Sequence, residues 1–390
     1  MVYLSSIVSS VLLAATTVVG HSGSAPMSVA EVSRRTEPQR SATRSLGACQ
    51  DVLSRRNKAE KSSTRRAALA DELRRKRGLA TRAPYNRELA HLSREADLTI
   101  ESASFGGLSV VTPEIERGML YVAGEYVRST VSEDQQGIYT YVDLEVIDVS
   151  NCSALPNMYV DFWHCNSTGV YAGVLESGNG DSSDLSNLDK TFLRGIQRTN
   201  EEGHASFETI FPGHYSGRAT HFNTVIHSSG TLFDNGTFTA PREHLIGQIF
   251  VDQDLILIVE ATSPYNTNTI EITTNSIDQM FGMIPGHPVL EYILLGDDIS
   301  DGLLLWGTIG VNMSASYEIP PAATLTGNGG VIYDPSSAGQ GNTTSDGAAS
   351  GNSTTGDGSA DSTSSSGNST TLLHGDLFCT CTSYTGEELV

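Results

Sequence analysis

The sequence predicts a mainly β protein: a β-sandwich core, an N-terminal helical leader and a disordered C-terminal tail. From residue 121 onward, apolar and polar residues alternate in short segments separated by Gly, Pro and Asn. A period of two is typical of strands with one buried face. The chain shows no regular alternation of strand and helix patterns, which disfavours a doubly wound parallel sheet.

The strands are predicted from alternation and from the turn residues that end each segment. They fall at residues 138–149, 158–164, 205–211, 220–227, 245–251, 255–261, 292–295 and 303–311. Short strands at this spacing are typical of a β-sandwich, which we place at residues 111–320.

Residues 1–20 are predicted to be a secretory signal peptide. Residues 7–19 form an apolar stretch of small and aliphatic residues, and the Gly20–His21 bond is a suitable cleavage point. The stretch is too short to span a membrane. Asn-x-Ser/Thr acceptor sequences fit a secreted, extracellular glycoprotein. They begin at Asn151, Asn166, Asn235, Asn312, Asn342, Asn352 and Asn368.

Residues 21–110 are predicted to be an Arg-rich helical leader and linker. A helix is expected over residues 48–78, because this stretch lacks proline and Gly78 supplies a stop. Residues 1–97 carry a net charge of +8 and residues 98–390 a net charge of −29. The acidic body argues against nucleic acid or an anionic membrane as partner. The basic run is either a nucleic-acid arm or the solvated face of helices, and its alternation with Ala, Leu and Glu favours the helices.

Five cysteines are present, at positions 49, 152, 165, 379 and 381. An odd number in a secreted chain leaves one thiol unpaired or paired between chains. Cys152 and Cys165 flank a predicted strand and are the expected disulfide; the alternative is that both are buried thiols.

Residues 321–390 are predicted to be a low-complexity tail. Residues 335–371 consist almost wholly of Ser, Thr, Gly, Asn, Asp and Ala, which bury too little apolar surface to offset the entropy of ordering. We expect a flexible stalk that could associate with a cell wall or surface.

Two tyrosines and a histidine stand in strand-like segments that end at glycine-rich turns: Tyr171, Tyr215 and His221. Positions i and i+2 of a strand face the same way about 6.6 Å apart, so His221 and Asn223 point to one side. Phenolate and imidazole suit a hard, oxidised metal such as Fe(3+), which can deprotonate a tyrosine. The same residues near glycine turns are also typical of a packed aromatic corner without a metal.

Ordered motifs between residues 110 and 310 resemble those of the intradiol ring-cleavage dioxygenases, and especially their secreted fungal branch. The matching segments are residues 124–128, 160–173, 191–197, 207–221, 246–254, 261–268 and 296–302. The resemblance implies a non-haem iron(III) enzyme with a β-sandwich fold. Its substrates would be dioxygen and a small aromatic diol, cleaved between the two hydroxyl-bearing carbons to a muconate-type diacid.

The resemblance also implies roles for individual residues. Tyr171 matches the retained tyrosine ligand, Tyr215 the tyrosine that leaves when substrate binds, and His221 the first histidine ligand. Arg218 matches the arginine that balances negative charge developing near the ring. Asn223 stands where the family has its second histidine, and we assign it to the metal as a weaker, neutral oxygen donor.

Asn223 keeps an alternative function open: a degenerate, secreted binding or surface protein of the same fold with weak iron affinity. His227 has the right parity but lies about 13 Å beyond position 223, too far to replace the missing histidine. Another departure is the sequence at residues 118–121, Gly-Met-Leu-Tyr in place of the family's Gly-Pro-Tyr-Tyr. His214, His164 and Trp163 are expected to be structural rather than ligands.

Overall fold

The computed structural model describes Cys49 and residues 58–79, 120–283, 289–316 and 319–334. All of them lie within one structural unit, residues 1–338. The predicted signal peptide, residues 80–110 of the predicted leader and linker, and the Ser/Thr-rich segment at 335–371 lie outside these residues. The predicted mainly β fold is confirmed.

The strands and α-helices whose bounds the structure gives lie between residues 58 and 332. In chain order they are α1 (Lys58–Lys76), β1 (Val122–Ala123), β2 (Tyr139–Asp148), β3 (Ser153–Ala154), β4 (Tyr159–Trp163), β5 (Arg194–Arg198), β6 (His204–Ile210), β7 (His221–His227), β8 (Thr231–Leu232), β9 (Phe238–Thr239), β10 (Leu245–Phe250), α2 (Gln253–Glu260), α3 (Gln279–Met283), β11 (Glu291–Leu294), β12 (Leu303–Val311), β13 (Ala323–Thr326) and β14 (Gly329–Ile332). Within the described part of the chain, none of the helices is both long and apolar enough to cross a bilayer.

Two sheets face each other across the main core. One has the order β10-β7-β4-β5, and the other has the order β11-β12-β2-β3, with β6 also paired to β2. Phe162 of β4 stacks on Phe207 of β6 at 4.4 Å and on Phe222 of β7 at 5.2 Å between ring centroids. These rings, with buried Val142 and Leu144 of β2, fill the space between the sheets. Burial of such side chains contributes on the order of 2 kcal/mol each.

The four-stranded sheet positions the candidate site on its opposite face. Because side chains alternate along a strand, the neighbours of the core phenylalanines, Trp163, His221 and Asn223, point away from the main core. Trp163, Val225 of β7 and Ile246 of β10 form a second buried cluster there.

Helix α1 covers the outer face of the other sheet. Ala70 and Leu73 pack on Ile293 and Leu304. The helix ends where Gly78, at φ +70°, allows the bond from Leu79 N to Arg74 O. The predicted helix and its stop at Gly78 are therefore confirmed over the described part.

The sequence suggested that the basic residues of the leader form a solvated helix face. In the structure, several arginines of α1, and Arg77 just after it, instead contact the sheet. Arg65 donates two hydrogen bonds to Asp143 of β2, and Arg74 donates to the carbonyl oxygen of Leu295. Arg66 and Arg77 lie over the rings of Trp306 and Tyr139. Long cationic side chains thus pack their stems on the sheet and pair their charged ends with its polar groups.

Three sequence expectations about the fold are wrong. Cys152 pairs with Cys49, 103 residues away, and Cys165 is a buried free thiol. The segment predicted as a strand at 255–261 instead forms most of helix α2, which ends at Glu260; Asp252 caps the helix by accepting from the amides of Asp254 and Leu255. An unbroken apolar run does not distinguish a buried strand from a buried helix. The predicted tail begins too early, because β13 and β14 follow residue 320.

Candidate metal centre

The structure brings together the four side chains predicted to hold a metal. Tyr171 lies in the loop after β4, Tyr215 in the loop before β7, and His221 and Asn223 on β7. The Tyr171 and Tyr215 hydroxyls lie 3.4 and 3.5 Å from His221 Nε2. Asn223 Nδ2 lies 3.2 Å from the Tyr171 hydroxyl. Two sequence-distant segments, the loop at Tyr171 and residues 215–223, therefore meet at one buried point.

Amide side chains fix the loop that carries Tyr171. The Tyr171 amide donates to Asn179 Oδ1 at 2.7 Å, and the Tyr171 carbonyl accepts from Asn179 and Asn187 at 2.9 Å each. Gly169, at φ +86°, brings this loop against the other one, since a Cβ there would lie 2.2 Å from the carbonyl oxygen of His214. The approach of the two tyrosine loops requires glycine at this position.

His214 anchors the loop that carries Tyr215. Its Nδ1 lies 2.7 Å from Glu260 of α2 and its Nε2 lies 2.8 Å from the carbonyl oxygen of Ile270. Burial acts against a charged ring, but the hydrogen bonds to Glu260 and to the Ile270 carbonyl, together with the charge of Glu260, outweigh it and raise the pKa of His214. The side chain points into the protein interior and away from the tyrosine hydroxyls, as strand parity suggested.

The hydrogen bonds of His221 fix its tautomer. Nδ1 lies 2.6 Å from the carbonyl oxygen of Ala219, which can only accept, so the proton is on Nδ1. The lone pair of Nε2 then faces the two tyrosine hydroxyls. Burial, followed by the charge of Arg218, lowers the pKa of His221 to about 3. A neutral imidazole oriented by a backbone carbonyl is the usual state of a metal-binding histidine.

Arg218 lies beside Tyr215, where the resemblance implies a cationic residue. Its Nη1 donates to the Tyr215 hydroxyl at 3.4 Å, and its Nε donates to Asp278 at 3.0 Å. Asp278 also accepts from the Ala219 amide at 2.7 Å. One carboxylate therefore holds both Arg218 and the backbone that orients His221.

Two residues of this cluster, Gln248 and Asp278, were not predicted. Gln248 accepts from Arg218 Nη2, and its own Nε2 lies 3.1 Å from His221 Nε2 and 3.0 Å from Asn223 Oδ1. A polar residue in the otherwise apolar strand β10 was a signal that could have identified it. Asp278 gave no such signal, because it lies in an irregular segment before a short helix.

His164, predicted to be structural, and His227, predicted to lie too far to replace the missing histidine, have partners outside this cluster. His164 bonds to Thr209 and to the carbonyl oxygen of Cys165, at 2.7 Å each. His227 lies at the other end of β7, 3.8 Å from Asp161. Trp163 is fully buried in the second cluster.

The donor atoms fit a hard trivalent cation. Two phenols and one imidazole lone pair converge within 3.5 Å, and no cluster of three His, Cys, Asp or Glu side chains offers an alternative within the described residues. Burial raises the pKa of Tyr171 well above its usual range. An ionised Tyr171 therefore requires a strong cation next to its oxygen.

Comparison with solved structures finds intradiol ring-cleavage dioxygenases. The chain is similar to the intradiol ring-cleavage dioxygenase from Tetranychus urticae, with 30% identity, a TM-score of 0.43, and coverage of 51% of this chain and 93% of that one. It is also similar to the dioxygenase domain of a dioxygenase–carbohydrate-binding fusion from Streptomyces sp. SirexAA-E, with 18% identity, a TM-score of 0.34, and coverage of 52% and 99%.

A third similar structure is catechol 1,2-dioxygenase from Pseudomonas arvilla C-1, with 19% identity and a TM-score of 0.34, covering 52% of this chain and 62% of that one. No protein-family model and no curated protein matches the chain.

Proposed function

We propose that this protein is an intradiol-type dioxygenase that opens catechol-like aromatic rings between the two hydroxyl-bearing carbons. The observation that carries the proposal is the convergence of Tyr171, Tyr215 and the Nε2 lone pair of His221, with Arg218 beside Tyr215. Together with the ordered sequence motifs around them, these residues supply the donors and the charge that such chemistry needs.

Tyr171, Tyr215 and His221 would hold the ferric ion. The bound ion would supply a Lewis acid that draws electron density from an aromatic diol and brings it together with dioxygen. Both oxygen atoms enter the product, so catechol and O2 give cis,cis-muconic acid and no other product.

The two tyrosines differ in a way that suits different roles. Tyr171 is 1% exposed, whereas Tyr215 is only partly buried and lies next to Arg218. Tyr215 is therefore the phenol that an entering diol can reach, and its oxygen is placed to take a proton from a diol hydroxyl. Arg218 is held by Asp278 and Gln248, so its charge stays beside the position where negative charge develops.

We also propose that the protein is secreted. The Cys49–Cys152 disulfide fits an oxidising compartment, and Asn151, Asn235 and Asn312 are exposed at turns, where a glycan can be attached.

A second candidate function is a secreted iron-binding or surface protein without turnover, and Asn223 in place of a second histidine favours it. The two can be separated with iron-loaded full-length protein, by measuring the red-brown tyrosinate-to-iron(III) absorption and oxygen uptake with catechol and protocatechuate. The dioxygenase predicts colour, oxygen uptake and a muconate-type product in equal molar amounts. Colour without uptake supports the binding protein, and a colourless protein that retains no iron contradicts both.

A further inference from the structure

We propose that Asn223 is not a fourth ligand but a hydrogen-bond donor to the oxygen of Tyr171, so that three side chains hold the ion. This inference rests on the proposed function, because it concerns the same iron site. It replaces the role that the sequence suggested for Asn223, and it follows from the direction of a chain of amide hydrogen bonds across the sheet.

The chain runs through three neighbouring strands. Asn223 of β7 is paired in register with Gln248 of β10 on one side and with Trp163 of β4 on the other. Paired residues of adjacent strands project to the same face and contact each other. The register therefore places Gln248, Asn223 and Trp163 in one row behind the tyrosine hydroxyls.

Arg218 fixes the direction of the chain at the Gln248 end. A guanidinium has only donors, so the Gln248 atom next to Arg218 Nη2 must be the oxygen. The Gln248 nitrogen then faces β7, where it lies 3.0 Å from the side chain of Asn223. Since that nitrogen donates, the Asn223 atom that it meets is the oxygen.

Trp163 independently fixes the direction at the other end. Its backbone carbonyl can only accept, and it lies 3.4 Å from the second polar atom of the Asn223 side chain. That atom is therefore the nitrogen, and it also lies 3.2 Å from the Tyr171 hydroxyl. Both ends of the chain lead to the same assignment, although oxygen and nitrogen of an amide are otherwise hard to tell apart.

Reversing the Asn223 amide would create two unfavourable contacts. Its nitrogen would face the Gln248 nitrogen, and its oxygen would face the Trp163 carbonyl. Asn223 and Gln248 are both fully buried, so solvent does not reach these atoms to relieve the contacts. Each buried polar group without a partner costs about 1–3 kcal/mol, so two such groups are a substantial barrier to presenting the amide oxygen to a metal.

The consequence for the site is a specific division of roles. The Asn223 nitrogen donates to the oxygen of Tyr171, which stabilises negative charge on that phenol. His221 keeps its Nε2 lone pair toward the two tyrosines. The position that a histidine at 223 would fill would then be left for a diol or for water.

The direction of the Asn223 amide can be measured by NMR on full-length protein with selectively labelled Asn and Tyr. Gallium(III) serves as a diamagnetic substitute for iron(III). The proposal predicts nuclear Overhauser contacts from the Asn223 side-chain NH2 to the Tyr171 ring, both without metal and with gallium bound. If gallium moves these contacts from the Tyr171 ring to Gln248, the amide oxygen has turned to the ion and the proposal is wrong.

Iron affinity of variants gives a second test. Loss of a group that only supports a ligand costs about 10–100-fold in metal affinity, so Asn223→Ala should keep measurable iron and its colour. His221→Ala, which removes a ligand, should lose iron. If Asn223→Ala empties the site as completely as His221→Ala, the proposal fails. Val225→Ala is the matched control, because it loosens the same face of β7 without removing a hydrogen bond and should leave iron affinity unchanged.

These results distinguish the inference from the function on which it rests. Wild-type protein that binds neither iron nor gallium contradicts the proposed function. Contacts from the Asn223 NH2 to Tyr171 in that metal-free protein would still support the direction of the amide chain, and contacts to Gln248 would overturn it.

Discussion

The sheet of β10, β7, β4 and β5 has two ends on the face that carries the candidate site. Both ends are buried, but the polar side chains at one end are hydrogen-bonded to each other and those at the other end are not. At the site end, His221, Asn223 and Gln248 join Tyr171 and Arg218 in a connected set of hydrogen bonds. At the far end lie Asp161 and His227, with Glu125 and Glu243 beside them.

Contacts between the acidic side chains and their basic neighbours are long at the far end. His227 lies 3.8 Å from Asp161, and Arg194 lies 3.8 Å from Glu125. Among the described residues, Glu125 and His227 find no hydrogen-bond partner for their side-chain atoms. Fully bonded networks specify one geometry, whereas buried carboxyl groups without hydrogen bonds respond to pH by neutralising. The comparison therefore predicts that the site end controls metal binding and the far end controls the pH dependence of stability.

The largest expected effect is at the site end, from Tyr171→Phe. Removing the phenol oxygen removes a proposed metal ligand that lies beside both His221 and Asn223, so iron and its charge-transfer colour should be lost. The fold should remain, because the phenyl ring still fills its buried position. Metal analysis and visible absorption provide the measurement.

Tyr265→Phe is the matched control for this change. Tyr265 is also fully buried, and its hydroxyl donates to the Phe211 carbonyl at 2.6 Å. It packs in the main core, whereas Tyr171 belongs to the second buried cluster. It should lose about 1–3 kcal/mol of stability but keep iron and colour. If Tyr171→Phe stays coloured while this control loses its colour, Tyr171 does not bind the iron and the proposed position of the metal centre is wrong.

The next largest effect is expected at the far end, from Glu125→Gln. Burial raises the pKa of Glu125 from 4.5 to about 8. The folded protein therefore holds a proton on Glu125 that the unfolded chain releases above pH 4.5. The contribution of Glu125 to folding stability is therefore fully present below pH 4.5 and is lost as the pH rises toward 8. By this linkage the loss is on the order of a few kcal/mol.

Glutamine cannot ionise, so the variant should lack this part of the pH dependence. Urea unfolding at pH 5 and pH 8 should show little difference from wild type at pH 5 and higher stability at pH 8. Arg194 retains its bonds to the carbonyl oxygens of Ala172 and Leu120 in the variant. An equal change at both pH values would show that Glu125 is already ionised in the folded protein.

The contrast between the two ends also shows how much the sequence could reveal. Alternation located β2, β4, β7 and the strands of the core, because period two follows from one buried face. The pairing of Tyr171 with Tyr215 came from ordered motifs rather than from spacing, since residues in separate loops have no fixed distance in the sequence.

What sequence reasoning missed depends on contacts between distant residues. Gln248 joins the site through its cross-strand register with Asn223, and Asp278 through a loop that returns to Arg218 from 60 residues away. The Cys49–Cys152 pair spans 103 residues. Helix α2 was mistaken for a strand because an apolar run carries no period. The contacts of Gln248 and Asp278 and the disulfide all require knowledge of which segments are neighbours in the fold.

The smallest effect of the three is expected from Asn223→His, which breaks the amide chain at the site end. A histidine there would lose the donation to Tyr171 and the bond from Gln248, but its ring nitrogen would project toward the same tyrosine oxygens. The added imidazole ligand should raise iron affinity on the order of tenfold, or about 1.4 kcal/mol. Competition with a chelator measures this affinity.

Val225→His is the control variant. Position 225 is on the same face of β7 but lies one residue pair further from the tyrosines, so this variant should not bind iron more tightly than wild type. Unchanged affinity in Asn223→His would mean that position 223 does not face the ion. The iron affinity of the site would then depend on Tyr171, Tyr215 and His221 alone.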